Sequence, residues 1–342
     1  IMKNKRAENV KSGPVTLERV AKLAGVSPST VSRILNGTAV VSDEKRKAID
    51  EAIAELGFVP NPVARGLAGG RTLSIGVVTQ AIDSPFYGPA LRGIEDELDS
   101  AGYSPLFVSA HWNPVTEGRC IDVLRSRRVD GLIVLNGRLS DQALKNTAKH
   151  LPIVVTGRSI KGGGLFALNF DNFAGGVLAT EHLISLGHRK IAFISGDAAH
   201  PDANERFRGY TTALKNASIP FDPQLVVSGD YQVDGGLNAT DQLLSNRRKF
   251  TALFAANDQM AYGAALSLHR KGLKIPEDVS LIGFDDLYHS IYVAPPLSTI
   301  HQPAYELGRL TASAILQMLA DTKPTAVMPA PKLIVRESTA KP

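Results

Sequence analysis

The chain has 342 residues, 44% hydrophobic and 21% charged, enough for two or three domains with real cores. No apolar stretch reaches membrane-spanning length, and the single Cys120 leaves no internal disulfide, as suits a reducing cytoplasm. The net charge of +5 is confined to the first fifth: residues 1–71 carry 12 Lys/Arg against 7 Asp/Glu, and the remainder carries 26 of each. A basic head on a neutral body is the balance expected of a nucleic-acid-binding protein.

Residues 1–14 read as a disordered basic leader, with nothing in them resembling a signal peptide. Residues 15–60 then read as three short helices. "VTLERVAKLAG" gives the first, with Thr16 as N-cap, an apolar face of Leu17, Val20, Ala21 and Ala24, and Gly25 as its end. In "VSPSTVSRILNG", Ser27 caps and Pro28 opens a second helix. Val31, Ile34 and Leu35 point inward, leaving Ser29, Thr30 and Arg33 outward. The close turn between the two is the spacing of a helix-turn-helix. "SDEKRKAIDEAIAELGF" supplies the third helix, with Ser42 as N-cap, Ile49, Ile53 and Leu56 inward and Gly57 as stop.

Such a head could bind protein. Helix spacing, charge and polar face together favour double-stranded DNA, with the helix from Ser27 in a major groove. Residues 61–71, "NPVARGLAGGR", read as a hinge helix too short to stand alone in water. Its Leu67 has no local core and could wedge into a minor groove.

From residue 72 onward, apolar runs alternate with helices. "LSIGVV", "SPLFVS", "GLIVL" and "IVVT" read as buried parallel strands, joined by helices starting near Phe86, Pro114 and Ser140. "KIAFIS", "LVVSG", "ALFAAN" and "VSLIGF" repeat the pattern, with helices near Ala203, Val233 and Gln259. Two doubly wound lobes follow, about 72–170 with 300–342 and about 171–299, each open at the carboxyl ends of its strands. "STIHQP" and a helix from Tyr305 to Leu319 return the chain to the first lobe.

Motifs for phosphate loops, dinucleotides, nucleophile elbows and metal ligands are missing, so no catalytic residue, metal or cofactor is expected. Polar and aromatic residues instead gather at the strand ends: Phe86 and Tyr87, Trp112, Arg158, Arg206, Tyr231, Asn257, Asp285 and Gln302. Flat rings cover the apolar face of a sugar, and Arg, Asn, Asp and Gln match its hydroxyls.

Together, "VAKLAGVSPSTVSRILNG", "NPVARGLAGGRTLSIGVV", "ANDQMAYGA" and "VSLIGFDD" resemble the LacI family of bacterial transcription regulators, from Val15 to Ser338. The resemblance implies an all-α helix-turn-helix domain with a hinge helix, followed by an α/β two-lobed core like that of periplasmic binding proteins. It implies a dimer or tetramer on a palindromic operator, of which a dimer is expected here because no tetramerising heptad follows Ser338. Carried over by position, Pro28, Ser29 and Arg33 face bases, while Thr30 and Asn36 contact phosphate. Thr16 and Ser27 complete the DNA-facing set, with Leu67 as the wedge. In the core, Phe86 and Tyr87 match a paired-aromatic loop of sugar-binding proteins and Tyr231 an opposing ring. Arg158, Arg206, Asn257, Asp285 and Gln302 match the polar set around the sugar. Phe254 is either core or a ring beside the effector, and Trp112 either tunes specificity or packs in the core. The expected function is a repressor controlled by a small sugar. A purine effector is the alternative, and a stand-alone sugar-transport receptor is disfavoured by the basic head.

Overall fold

The computed structural model describes residues 15–35, 42–59, 70–246 and 249–342. The leader, Asn36 and the hinge through Leu67 fall outside them. The chain forms two compact units, one ending at Leu73 and one from Ser74 to Pro342.

In the first unit, α1 (Leu17–Leu23), α2 (Pro28–Leu35) and α3 (Asp43–Leu56) surround a small core of Val20, Ala21, Val31, Ile49 and Ala52. Ser27 caps α2 as its sequence requires, its Oγ accepting the Thr30 amide at 3.2 Å. Thr16 and Ser42 occupy the N-cap positions of α1 and α3, but their side chains make no capping bond. Gly57 ends α3 in the left-handed conformation at φ 62°, where a side chain would be strained.

The second unit holds two parallel sheets. In chain order the first lobe supplies β1 (Ser74–Thr79), α4 (Tyr87–Ser100), β2 (Ser104–Ser109), α5 (Pro114–Ser126), β3 (Gly131–Val134), α6 (Asp141–Ala148), β4 (Ile153–Thr156) and β5 (Leu165–Leu168). Its strand order is β2-β1-β3-β4-β5. The second lobe supplies α7 (Asn172–Ser185), β6 (Ile191–Ser195), α8 (Pro201–Asn216), β7 (Val226–Ser228), α9 (Val233–Ser245), β8 (Ala252–Ala255), α10 (Asp258–Arg270) and β9 (Ser280–Ile282). The strand order there is β7-β6-β8-β9. Both orders reverse beside their first strand, so each lobe opens a crevice at the carboxyl ends of its central strands.

After β9 the chain forms β10 (Thr299–His301), crosses to the first lobe as α11 (Ala304–Leu319), and returns as β11 (Lys332–Ile334), antiparallel to β10. Helix α11 lies against α4 through glycine. A methyl group on Gly308 would fall 1.9 Å from the Ala90 carbonyl oxygen, and one on Gly93 2.1 Å from that of Tyr305. Gly308→Ala is therefore expected to lose about 1–3 kcal/mol by overpacking, outweighing the ~1 kcal/mol that alanine gains in a helix. Urea unfolding checks this, and an unchanged midpoint would refute so close an approach.

Two boundaries differ from the sequence reading. β5 follows a Gly-rich run that hides its short apolar stretch. The segment after β11, assigned above to the first lobe, pairs with the second: the Leu281 amide donates to Ser338 O at 2.7 Å, and Ser338 Oγ donates back to Leu281 O at 2.6 Å.

Candidate functional site

On α2, Pro28, Ser29 and Arg33 are exposed, Ser29 and Arg33 on the side away from buried Val31. Ser27 Oγ lies 2.9 Å from Ser29 Oγ and 2.8 Å from Thr30 Oγ1. The hydroxyls thus form one short chain at the helix N-terminus, where partial positive charge favours an anion such as phosphate. Thr16 is exposed at the start of α1.

In the second unit the crevices of the two lobes face each other across a cavity of about 250 Å³. Loops after β1, β2 and β3 bring Phe86, Tyr87, Trp112, Asn136 and Arg138. Segments following β6, β7, β8, β9 and β10 bring Asp197, His200, Asp202, Arg206, Tyr231, Asn257, Asp285 and Gln302.

Arg206 is the organising group. Its Nε donates to Asn172 Oδ1 at 2.8 Å, Nη1 to Ala256 O at 2.5 Å and Nη2 to Gln302 Oε1 at 3.0 Å. Its guanidinium carbon sits 3.7 Å above the Phe284 ring. Asp285 Oδ1 stands 3.6 Å from Nη1, near enough for attraction and too far for a hydrogen bond. Burial pushes the Asp285 carboxyl well above the usual carboxylate range, and Arg206 opposes that shift. Burial thus favours the neutral form, and donors that reach the carboxyl would favour its ionised form.

Tyr231, at φ 68°, lays its ring over Gly196, where a methyl group would come within 2.1 Å of the ring. The buried Tyr231 hydroxyl has no hydrogen-bond partner among the described residues. Such a group costs about 1–3 kcal/mol until something pairs with it. Asn257 caps α10 through the Met260 amide at 2.9 Å and donates to Tyr231 O at 3.0 Å, which ties two walls together.

Trp112 is placed by Gln80. The Gln80 Oε1 accepts the Trp112 amide at 3.0 Å while its Nε2 donates to Leu135 O at 3.1 Å. This ties the ends of the first three strands. Trp112 meets His200 edge-on with ring centres 4.1 Å apart. It lines the cavity and, partly buried, also packs against the first-lobe core.

Two expected residues are elsewhere. Arg158 follows β4, one strand outboard of the β1–β3 crevice, and donates to the carbonyls of Gly137 and Leu139. Phe254 is fully buried inside β8, its ring 5.0 Å from Phe193 in the second-lobe core. Conversely, Asn136, Arg138, Asp197, His200 and Asp202 had not been singled out. They follow the ends of β3 and β6, and that position was their only signal.

His200 is almost wholly buried, and burial first, then Arg138, hold its imidazole down to about 4. In the unfolded chain it takes its proton near 6.5, so between those values the unfolded state binds more protons. Its contribution to stability is present above about pH 6.5 and is lost as pH falls toward 4. The melting-temperature advantage of wild type over His200→Gln should therefore shrink across that window. A difference independent of pH would contradict a buried neutral His200.

Among the described residues no His/Cys/Asp/Glu cluster could hold a metal, and no helix is long and apolar enough to cross a membrane. A helix-turn-helix unit joined in one chain to a two-lobed binding core defines a DNA-binding, ligand-responsive regulator. Residues 16–61 match the profile of bacterial regulatory proteins of the lacI family, and residues 180–339 that of a periplasmic binding protein-like domain. The HTH-type transcriptional repressor PurR of Haemophilus influenzae is 34% identical over 330 residues, covering 94% of this chain and 98% of the relative. The Lac repressor dimer bound to operator and the anti-inducer ONPF aligns with TM-score 0.86 at 30% identity, over 96% of this chain and 100% of that one. The complex of transcriptional regulator CelR with cellobiose aligns at 0.72 and 33% identity, over 95% and 99%. A LacI family regulator from Enterococcus faecium with bound ribose aligns at 0.70 and 31%, over 79% and 99%. The chain belongs to the LacI family of bacterial transcription regulators, and it is a DNA-binding protein rather than an enzyme.

Proposed function

We propose that this chain is a repressor that binds a palindromic operator as a homodimer, with its hold on DNA set by a neutral sugar between the lobes. Arg33 and Ser29 are the base-facing side chains of α2, and Ser27 and Thr30 its phosphate contacts. In the cleft, Asp285 accepts from ring hydroxyls, while Tyr231, Asn257 and Gln302 complete the polar surround and Phe86 and Trp112 cover the apolar face.

The observation that carries this reading is Asp285, a buried residue that lines the cavity with its Oδ1 3.6 Å from Arg206 Nη1, beyond hydrogen-bond distance. Adjacent sugar hydroxyls are the donors such a carboxylate accepts. Asp197, Asp202 and Asp230 also line the cavity, against Arg138 and Arg206, so the cleft is unfavourable to phosphorylated or acidic ligands.

A purine effector is the second reading, favoured by the PurR relatives. Its flat base would stack on a cavity ring such as Phe86 or Trp112, whereas a sugar would make fuller use of the Asp285, Asn257 and Gln302 side chains.

Trp112 is the chain's only tryptophan, so its fluorescence reports directly on the cleft. Titrating the protein with monosaccharides, hypoxanthine and guanine tests the proposal, followed by a mobility shift on operator fragments with whatever binds. A sugar that quenches Trp112 and alters operator affinity supports it. A response to purines alone overturns the sugar assignment.

A further inference from the structure

The far side of the cleft is closed by a partition one side chain thick. Arg138, from the loop after β3, donates from Nη2 to Asp197 Oδ2 at 2.6 Å and to His200 Nε2 at 2.7 Å, both across the lobes. Beside it Asn136 Nδ2 donates to Asp202 Oδ2 at 2.8 Å, also across the lobes. Behind this row lies a second cavity of about 310 Å³, walled by Gly157, Arg158 and Pro201. Asn136, Arg138 and His200 line both spaces.

We propose that this partition sets the size of the effector, admitting one sugar ring and barring a second from the cavity behind it. The proposal rests on the cleft being a sugar site. At about 250 Å³ the front cavity lies just below the ~300–1,000 Å³ usual for drug-sized ligands. A longer sugar that extends on this side must enter the rear cavity, and Arg138 and His200 stand in the way.

The partition is braced from behind. The fully buried Glu117 accepts the Arg138 amide through Oε2 at 2.5 Å, which fixes the loop backbone. A methyl group on Gly137 would come within 2.3 Å of Glu117 Oε1, so the loop is packed directly on that carboxylate. Arg158 holds the same loop through the carbonyls of Gly137 and Leu139. This accounts for an arginine at the end of β4 without giving it to the ligand. In front, the Arg138 guanidinium carbon lies 5.7 Å from the centre of the Trp112 ring. A second ring would have to break two short charge-assisted contacts and separate Trp112 from His200 while the backbone is pinned.

The rear cavity offers the backbone of Gly137 and Gly157 and the polar ends of Asn136 and Arg158, surfaces that hydroxyls can use. Removing the partition joins the two spaces into one elongated site. The predicted consequence is a gain, which general damage to the fold does not produce.

The test is calorimetry on the full chain with a panel of monosaccharides and the disaccharides built from them. The proteins are wild type, Arg138→Ala, His200→Ala and the double variant. Wild type is expected to bind a monosaccharide and to bind its disaccharides at least about 30-fold more weakly, a discrimination within reach of steric exclusion. The double variant should bind a disaccharide at least about tenfold more tightly than wild type does, with each single variant intermediate. The single variants keep the comparison valid if the double variant does not fold. The inference is overturned if wild type binds a disaccharide as tightly as its monosaccharide, or if every folded variant keeps the wild-type preference. Wild type binding purines and no sugar would instead sink the sugar reading itself, and this proposal with it.

Discussion

Asp285→Asn is expected to lower effector affinity by about 100-fold or more and abolish the ligand's influence on operator binding. Ligand hydroxyls that donate to Asp285 favour its ionised form, whose hydrogen bonds contribute about 1.5–3 kcal/mol each, and the amide both weakens one acceptor and turns the other into a donor. A hundredfold loss corresponds to about 2.7 kcal/mol, or one to two such bonds. Asparagine is the informative replacement because Asp285 sits at φ 113°, and asparagine tolerates positive φ far better than branched or bulky residues. It also keeps the side-chain shape beside Arg206. Affinity for operator without effector should be unchanged, which serves as the control for folding. Calorimetry and fluorescence anisotropy measure the two halves. Full effector response in the variant would remove Asp285 from the site.

Arg33→Ala is the counterpart in the head. Its exposure on α2, on the side away from Val31, and a two-pronged donor suited to guanine predict a loss of about 1–3 kcal/mol on operator. Preference at one base position per half-site should relax, and binding to unrelated DNA should fall much less. Because the side chain lies outside the small core of the head, melting of that unit should not move. A uniform loss on all sequences would make Arg33 a phosphate contact.

The sequence carried the architecture well where elements were long or strongly apolar. The α2 cap, the inward Val31 and the parallel runs through Val78, Val134 and Val155 depend only on local pattern and burial. β5 and β11 escaped because the glycines at 162–164 and the prolines at 324, 329 and 331 break up the pattern around these short apolar runs. At the cleft, strand ends were a sound guide where the strand borders a crevice, as for Trp112, Tyr231, Asn257 and Asp285. They misled at Arg158, because nothing local reveals that β4 lies one place outboard in the sheet. Phe254 differs by a single register position: within β8 its ring enters the core, while Asn257, just past the strand, reaches the cavity. Arg138 and His200 were invisible for a different reason. Each looks like an ordinary turn residue until the lobes are brought together, and their partnership joins positions 62 residues apart.

The return of residues 332–340 to the second lobe bears on the order in which the chain can be finished during synthesis. The Leu281 amide, the Ser280 hydroxyl and the buried His188 wait for Ser338 and Ala340. The first lobe in turn waits for α11 to cover α4. A head with its own core can fold as soon as it leaves the ribosome, but both lobes stay incomplete until α11 and residues 332–340 have emerged. An apolar sheet edge and a bare helix face are meanwhile exposed, so chaperone demand should track the length of chain still unmade rather than the stability of either lobe. A released chain truncated near residue 325 would hold α11 but not the closing strand, and protease sensitivity confined to its second lobe would be the mark of that interval.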